Sequence, residues 1–329
     1  MPDKPKLSVY WASSCGGCEI AVVNLHEKIL EVDRNFDFFF CPCLLDTKYR
    51  DIEALDDGAI AITLFNGAIR TSENEEMALL LRRKSQLLIA YGSCSAGGAI
   101  PALSNLSTRA GHMRTNYLEG PSLDNPGGIL PQTATLVPEG ELELPAFFET
   151  VKTLPQVVEV DYYIPGCPPE SKQIWSVVEA VIQGTPLPPR GSVLGGGCST
   201  VCQECAKVKS DKKIAAFHRT YEIVPDPRQC LLEQGLICLG IATRDGCGAL
   251  CPAVNMPCTG CYGPPEGVAD QGAKMLAALG SDLDLGGYKG LTEEQVARQA
   301  DAILAGIPDL AGTLYRYSLA GSILRRRSQ

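Results

Sequence analysis

The residue type in this chain that could carry chemistry is cysteine, and its spacing falls into two patterns. Nine of the 15 cysteines lie between residues 198 and 261: Cys198, Cys202, Cys205, Cys230, Cys238, Cys247, Cys251, Cys258 and Cys261. Two C-x-x-C pairs, Cys202/Cys205 and Cys258/Cys261, frame Cys230, Cys238, Cys247 and Cys251. If each pair recruits two of those between, eight thiols make two four-thiolate sites. The second pattern is dispersed: Cys15 and Cys18 in SSCGGCE, Cys94 in GSC and Cys167 in PGCPP. Four thiolates fit either a tetrahedral zinc ion or a cubane [4Fe–4S] cluster. Zinc ribbons also use C-x-x-C pairs, so the dense stretch by itself admits both metals. The Cys251–Pro252 and Pro257–Cys258 steps resemble cluster-binding loops more than zinc knuckles.

Bulk properties narrow the setting. The 329 residues are enough for two domains, and 45% apolar content can fill a core. A net charge of -9 argues against nucleic acid or an anionic membrane as the main partner, since both need basic surface. The sequence shows no basic segment followed by a long apolar one at its start, no twin-arginine signal and no apolar run long enough for a membrane span. A cytoplasmic protein is therefore expected. Reducing cytosol disfavours disulfides, so the thiols read first as metal ligands and second as free thiols.

The elements that must position these thiols alternate. Leu7–Ala12 reads as a buried strand, Glu19 to about Leu30 as a helix, Phe36–Cys41 and Ala59–Phe65 as strands. Ser72–Lys84, acidic early and basic late, suits a helix dipole. Leu87–Gly92 and Val157–Ile164 are the fourth and fifth strands. Pro168 and Pro169 fit the first turn of the following helix, SKQIWSVVEAVI. This alternation implies an α/β fold, a flavodoxin-like doubly wound parallel sheet over residues 1–186. A smaller cysteine-rich domain of loops and helices follows over 187–329, held by inorganic staples because it lacks core residues.

In such sheets ligands sit beyond the carboxyl ends of the strands. Cys15, Cys18, Cys94 and Cys167 directly follow the first, fourth and fifth strands, so they are expected to converge on one edge. The alternative is that Cys94 and Cys167 are simply buried. Cys41 and Cys43 read as structural or incidental. His26, His112 and His218 read as surface or satisfied side chains. Glu19 reads as a solvated first-turn carboxylate, with proton release as the rival role. Residues 120–150 read as an extended loop. Three helices are expected after Cys261, serving as a docking face or as packing, and the Arg325–Arg327 run reads as a solvated tail.

SSCGGCE, the GSC at Gly92–Cys94 and PGCPP together resemble the small subunit of [NiFe] hydrogenases, and part of the pattern is shared with a subunit of respiratory complex I. Gly16–Gly17 between the first cysteines, and some 160 residues after PGCPP, separate this chain from the complex I pattern. The run CLLEQGLICLG…GCGALCPAVNMPCTGCYGP is most similar to cytoplasmic group 3 hydrogenases of the methyl-viologen-reducing (F420-non-reducing) type. The resemblance implies an electron-transfer subunit with three [4Fe–4S] clusters: a proximal one on Cys15, Cys18, Cys94 and Cys167, a medial one on Cys247, Cys251, Cys258 and Cys261, and a distal one on Cys202, Cys205, Cys230 and Cys238. Cys198 could replace Cys202. It also implies a large subunit carrying the NiFe site, whose R-x-C-x-x-C and D-P-C-x-x-C contexts are missing from this sequence. An iron–sulfur or flavin acceptor subunit is implied as well, with a heterodisulfide-reductase-linked adaptor, NAD(P), F420 or ferredoxin as acceptors. The rivals are a relay subunit of a complex-I-like or formate-linked assembly, and a zinc-stabilised structural protein.

Overall fold

The computed structural model describes residues 4–286 and 290–325. Contacts divide the chain into two compact units. One runs to Gly195 and takes back the segment from Leu319 onward; the other is Gly196–Ser318.

Among the described residues the first unit has nine strands. They are β1 (Lys6–Trp11), β2 (Asp37–Phe40), β3 (Ile60–Asn66), β4 (Ile69–Thr71), β5 (Ser85–Tyr91), β6 (Ala134–Val137), β7 (Gly140–Glu143), β8 (Phe147–Lys152) and β9 (Tyr162–Ile164). Five form the central sheet in the order β2-β1-β3-β5-β9, every pair parallel. This is the expected flavodoxin-like order. A parallel sheet is buried on both faces, so its strands read as near-continuous apolar runs. Val9, Leu64, Ile89 and Ile164 face one layer, where Val22, Ile174 and Val177 of flanking helices cover them. Tyr10, Phe65, Leu88 and Ala90 face the opposite layer with Met77, Ala78 and Leu81.

The helix Ser72–Lys84 lies where its charges place it. Thr71 caps it, the hydroxyl accepting from Asn74 N at 3.3 Å while Asn74 Oδ1 accepts from Thr71 N at 3.3 Å. Ser171–Ile182 is likewise helical throughout. Other elements differ from expectation. The first helix stops at Val23, and a 3-10 turn at His26–Lys28, where His26 has φ 55°, separates it from a second helix, Ile29–Asn35. Pro168 and Pro169 precede the helix at Ser171, because the reversal at Gly166 absorbs both. The region 120–150 is not all loop: β6 and β7 form a hairpin, and β8 pairs antiparallel with β4.

The fifth sheet strand is three residues long, not eight. Asp161 explains its start. Its carboxylate Oδ2 accepts from Leu88 N at 2.7 Å, and its own N–H donates to Leu88 O at 2.9 Å. Beyond β9 the segment 192–194 closes the sheet edge, with Tyr163 N donating to Ser192 O and Leu194 N to Tyr163 O.

In the second unit, regular structure is sparse. Helix Gln271–Asp282 is capped by Asp270, which accepts from Ala273 N at 2.8 Å, and buries Met275 and Leu279. Helix Glu293–Leu304 opens on the expected Thr292/Gln295 capping box, with no side chain fully buried. The third expected helix is reduced to Leu310–Leu314 and a 3-10 turn at Leu319–Gly321, the latter in the first unit. Arg325 is exposed; Arg326 and Arg327 lie outside the described residues. No helix among the described residues is long and apolar enough to cross a membrane.

Asp161 is 1% exposed and pairs with Arg82 Nη1 at 2.6 Å. Arg190 Nη1 stands 2.9 Å from its second oxygen, close enough for an ion pair but not aligned as a hydrogen bond. Asp161→Asn is expected to cost about 2–3 kcal/mol, as for hydrogen bonds to a charged group. That is below the roughly 3–5 kcal/mol of a fully buried pair, because both arginines reach solvent. Denaturant unfolding checks this; an unchanged midpoint contradicts it.

Candidate metal centres

The carboxyl edge of the sheet carries the first group of thiols. Cys15 and Cys18 follow β1, Cys94 follows β5 and Cys167 follows β9. Backbone bonds tie these loops together. Gly92 N donates to Ile164 O at 2.9 Å, and both Ser93 N and Ser93 Oγ donate to Gly166 O at 2.8 Å. The GSC turn is thereby stitched to the PGC turn. Tyr91 Oη donates to the Cys18 carbonyl at 3.0 Å, which fixes the start of the first helix above it.

The four thiols are neighbours. Burial pushes the Cys18 thiol well up, and Cys94, Glu19, Cys167 and Cys15 each oppose its ionisation further. Cys94 is pushed up to about 12 by burial, then by Cys167 and Cys15. Cys167, though it reaches solvent, is raised by the protein around it and by Cys15. Gly92 makes this approach possible. With φ +82° and ψ 164° it occupies a region essentially confined to glycine, and a Cβ there would stand 2.5 Å from Cys18 Sγ.

Glu19 is not solvated. It is 7% exposed, and Asn66 Nδ2 donates to its two oxygens at 2.8 and 2.9 Å. Burial raises this carboxyl, and the Asn66 bond offsets that only in part. The apolar surface beside the group is open: Trp11, Ile20, Val23 and Leu44 are all exposed. They line a cavity of about 310 Å³ that also reaches Cys15 and Glu19.

In the second unit, Cys202, Cys205, Cys230 and Cys238 line one small cavity, with Lys207 and Lys209 at its wall. Cys202 is pushed up to about 12 by burial and by Cys238, while Lys209 pulls the other way. Lys209 Nζ also donates to the Cys202 carbonyl at 2.6 Å. Cys238 is raised by burial and by Cys230 and Cys205, and its sulfur accepts from Cys258 N at 3.3 Å.

The remaining four thiols are arranged as pairs. Burial raises the thiols of both Cys247 and Cys258, and as a smaller cause Cys251 opposes the ionisation of Cys247 and Cys261 that of Cys258. Cys247 and Cys258 pack in one cluster with Val201 and Ala249. Cys258 is raised chiefly by burial and next by Cys238, so this group abuts the previous one. Gln271 Nε2 donates to Gly260 O at 2.9 Å and anchors the Cys258–Cys261 loop to the helix behind it.

Glu204, inside the Cys202–Cys205 loop, was not singled out by sequence. Its two oxygens accept from Gly246 N at 2.9 Å and Gly248 N at 3.0 Å, on either side of Cys247. An acid between two cysteines separated by two residues was the available signal. Cys198 faces elsewhere: a hydrogen bond with Glu266 raises its thiol. Cys41 and Cys43 belong to none of the three groups; burial and Cys43 push Cys41 up to about 12. His112 is satisfied by the Ser104 carbonyl at 2.9 Å. Among the described residues, no three His, Cys, Asp or Glu side chains form a site with the geometry for a single metal ion.

A parallel sheet with thiols gathered at its carboxyl edge defines a class. Residues 15–181 match the family model described as NADH ubiquinone oxidoreductase, 20 Kd subunit. The iron-sulfur subunit of the F420-non-reducing hydrogenase of Archaeoglobus profundus is 39% identical over 328 residues, 98% of each chain. The corresponding subunit of the F420-non-reducing hydrogenase of Methanothermobacter marburgensis is 35% identical, covering 98% of this chain and 97% of its own. The delta chain of sulfhydrogenase 2 of Pyrococcus furiosus is 26% identical over 79% of this chain and 86% of that one. In fold, the chain is similar to the solved H2-activated [NiFeSe]-hydrogenase of Dm. baculatum. The TM-score is 0.50 at 20% identity, over 80% of this chain and 95% of that one. The chain thus belongs to the hydrogenase small-subunit-like family of the 20 Kd subunit type, together with these subunits of F420-non-reducing hydrogenases.

Gly92→Ala is expected to force the Cys18 side chain aside and to cost about 1–3 kcal/mol in backbone strain alone. Thermal unfolding and the alkylation rate of Cys18 read both effects: a lower Tm and faster alkylation. Unchanged values would show that the close approach does not constrain this thiol.

Proposed function

We propose that this chain is the electron-relaying small subunit of a cytoplasmic [NiFe] hydrogenase, with three [4Fe–4S] clusters. The observation that carries this is the meeting of four cysteines delivered by three separate strand ends of one sheet, Cys18 and Cys94 buried and Cys15 and Cys167 at the surface. Such a donor set suits a soft metal cluster, because bound cations balance the charge that neighbouring thiolates would otherwise press on one another. Cys15, Cys18, Cys94 and Cys167 would hold the proximal cluster. Cys247, Cys251, Cys258 and Cys261 would hold the medial one, and Cys202, Cys205, Cys230 and Cys238 the distal one. When bound, such clusters accept and release single electrons at potentials set by their surroundings.

The protein's own residues supply those surroundings. The stitched GSC and PGC turns fix the first thiols, and burial keeps water from Cys18 and Cys94. The Cys258 N–H that donates to Cys238 sulfur and the Lys209 ammonium would favour the reduced state of a cluster held there, since both offset added negative charge. The Glu204 carboxylate, which opposes ionisation of Cys247, would act in the opposite sense on a cluster held by the medial group.

Hydrogen splitting is assigned to a large subunit, because this sequence has neither cysteine context of a NiFe site. The open apolar face of Trp11, Ile20, Val23 and Leu44 is of the kind a stable partner covers. On the acceptor side an iron–sulfur or flavin subunit is the fitting partner, a heterodisulfide-reductase-linked adaptor among them.

Metal and sulfide analysis of the anaerobically purified complex tests the reading. About twelve iron and twelve acid-labile sulfide per copy of this chain are expected, the count for three four-iron clusters. Nickel should reside in a co-purifying large subunit. Zinc without sulfide would replace the relay with a structural role. Clusters with a nickel-free partner would point to a complex-I-like or formate-linked assembly. Cys94→Ser is expected to remove one cluster's share of iron and to abolish electron delivery to a viologen dye, while the large subunit still exchanges hydrogen isotopes.

A further inference from the structure

The two thiol groups of the second unit are fastened to each other. A short antiparallel run leads into Cys202 on one side and toward Cys247 on the other. In it Val201 N donates to Thr243 O at 2.9 Å, Gly197 N to Asp245 O at 3.0 Å and Ser199 N to Asp245 Oδ1 at 3.0 Å. A reciprocal pair follows: Cys258 N donates to Cys238 Sγ at 3.3 Å, and Leu239 N to Cys258 O at 2.8 Å. The last fastening is Glu204, in the Cys202–Cys205 turn. Its two oxygens accept from Gly246 N at 2.9 Å and Gly248 N at 3.0 Å.

Glu204 acts where the backbone needs holding. Gly246, Gly248 and Ala249 have φ of +112°, +69° and +51°. That region is disfavoured for a residue with a side chain, Ala249 among them. A Cβ on Gly248 would meet nothing within 4 Å, so little packs against that side of the loop. Two charge-assisted hydrogen bonds to one carboxylate hold it instead. Burial raises the Cys247 thiol, and in this conformation the Ala249 and Leu250 amides act against that rise. Cys247 is thus placed by a side chain from the neighbouring group.

We propose that Glu204 is a positioning residue that makes the two groups fill together, Cys202, Cys205, Cys230 and Cys238 with Cys247, Cys251, Cys258 and Cys261. This rests on the three-cluster reading above. Filling the first set fixes the Cys202–Cys205 turn, and with it Glu204, which then keeps the amides on either side of Cys247 where they stand. Each thiol gives up its proton to solvent as it becomes a ligand. Linkage makes the effect mutual: filling either set raises the affinity of the other by one factor, typically about 5–150-fold for coupled sites.

The test uses the full-length chain, freed of metal anaerobically and refilled with limiting ferrous iron and sulfide. Unfilled thiols are alkylated, and fragmentation of intact chains by mass spectrometry shows which are protected on the same molecule. In the unaltered protein, protection of Cys230 and Cys251 should coincide, and chains with only one of them protected should be rarer than independent filling gives. In Glu204→Ala such chains should rise to the independent level. Glu204→Gln keeps the bulk and one acceptor oxygen but loses the charge. In the filled protein it should shift the reduction potential of the cluster on the Cys247 set upward and leave that of the first unit's cluster in place, a change that a merely structural role would not produce. Independent filling in the unaltered protein, joint filling in Glu204→Ala, or an unshifted potential in Glu204→Gln overturns the proposal. If iron and sulfide fill neither set, the three-cluster reading falls and this inference with it. If they fill both sets separately, that reading stands and only the coupling is lost.

Discussion

Desolvated thiols set the terms for this molecule. A thiol taken out of water resists ionisation, and a second thiol beside it adds repulsion. Cys18 carries both burdens, from burial first and from Cys94 next. Cys202 and Cys258 repeat the pattern in the second unit. Side chains of this kind gather only where a rigid frame holds their loops and a positive centre can balance them. The rest of the structure can be understood as that frame.

The two units meet the demand differently. In the first, the frame is the sheet: three strand ends deliver four cysteines, and glycine at positions 92 and 166 lets the turns close on one another. A large two-sided core behind the edge makes this possible. In the second unit the frame is a set of cross-links between cysteine loops. Glu204 spans from the Cys202 loop to the amides around Cys247, Cys258 N reaches Cys238, and Gln271 holds Gly260. Leu231, Leu239, Met275 and Leu279 are among the apolar residues buried there, and whatever the thiols bind adds to that order.

The central fold was legible because its signals are local. Ser72–Lys84 announces itself by charge order, and the sheet strands by unbroken apolar runs. The meeting of Cys15, Cys18, Cys94 and Cys167 at one edge followed from topology. Features that depend on distant partners were not legible. Glu19 is buried because Asn66, 47 residues away, closes on it. The fifth strand is short because the Asp161 side chain takes over the pairing with Leu88. The hairpin of β6 and β7 escaped notice because it is almost wholly exposed and shows no in–out alternation. Glu204 was not singled out because its partners, Gly246 and Gly248, lie 42 and 44 residues further on. The family resemblance carried what neither periodicity nor spacing could: the proposed division of eight closely spaced cysteines into two groups.

The most direct check on this account is a crystal structure of the anaerobically purified protein, with anomalous diffraction recorded at the iron and zinc absorption edges. The account predicts iron signal at three places, each bounded by four of the twelve assigned sulfurs, with Cys41, Cys43 and Cys198 outside all of them. Signal at the zinc edge alone, or those sulfurs joined to one another with no metal between them, would contradict it.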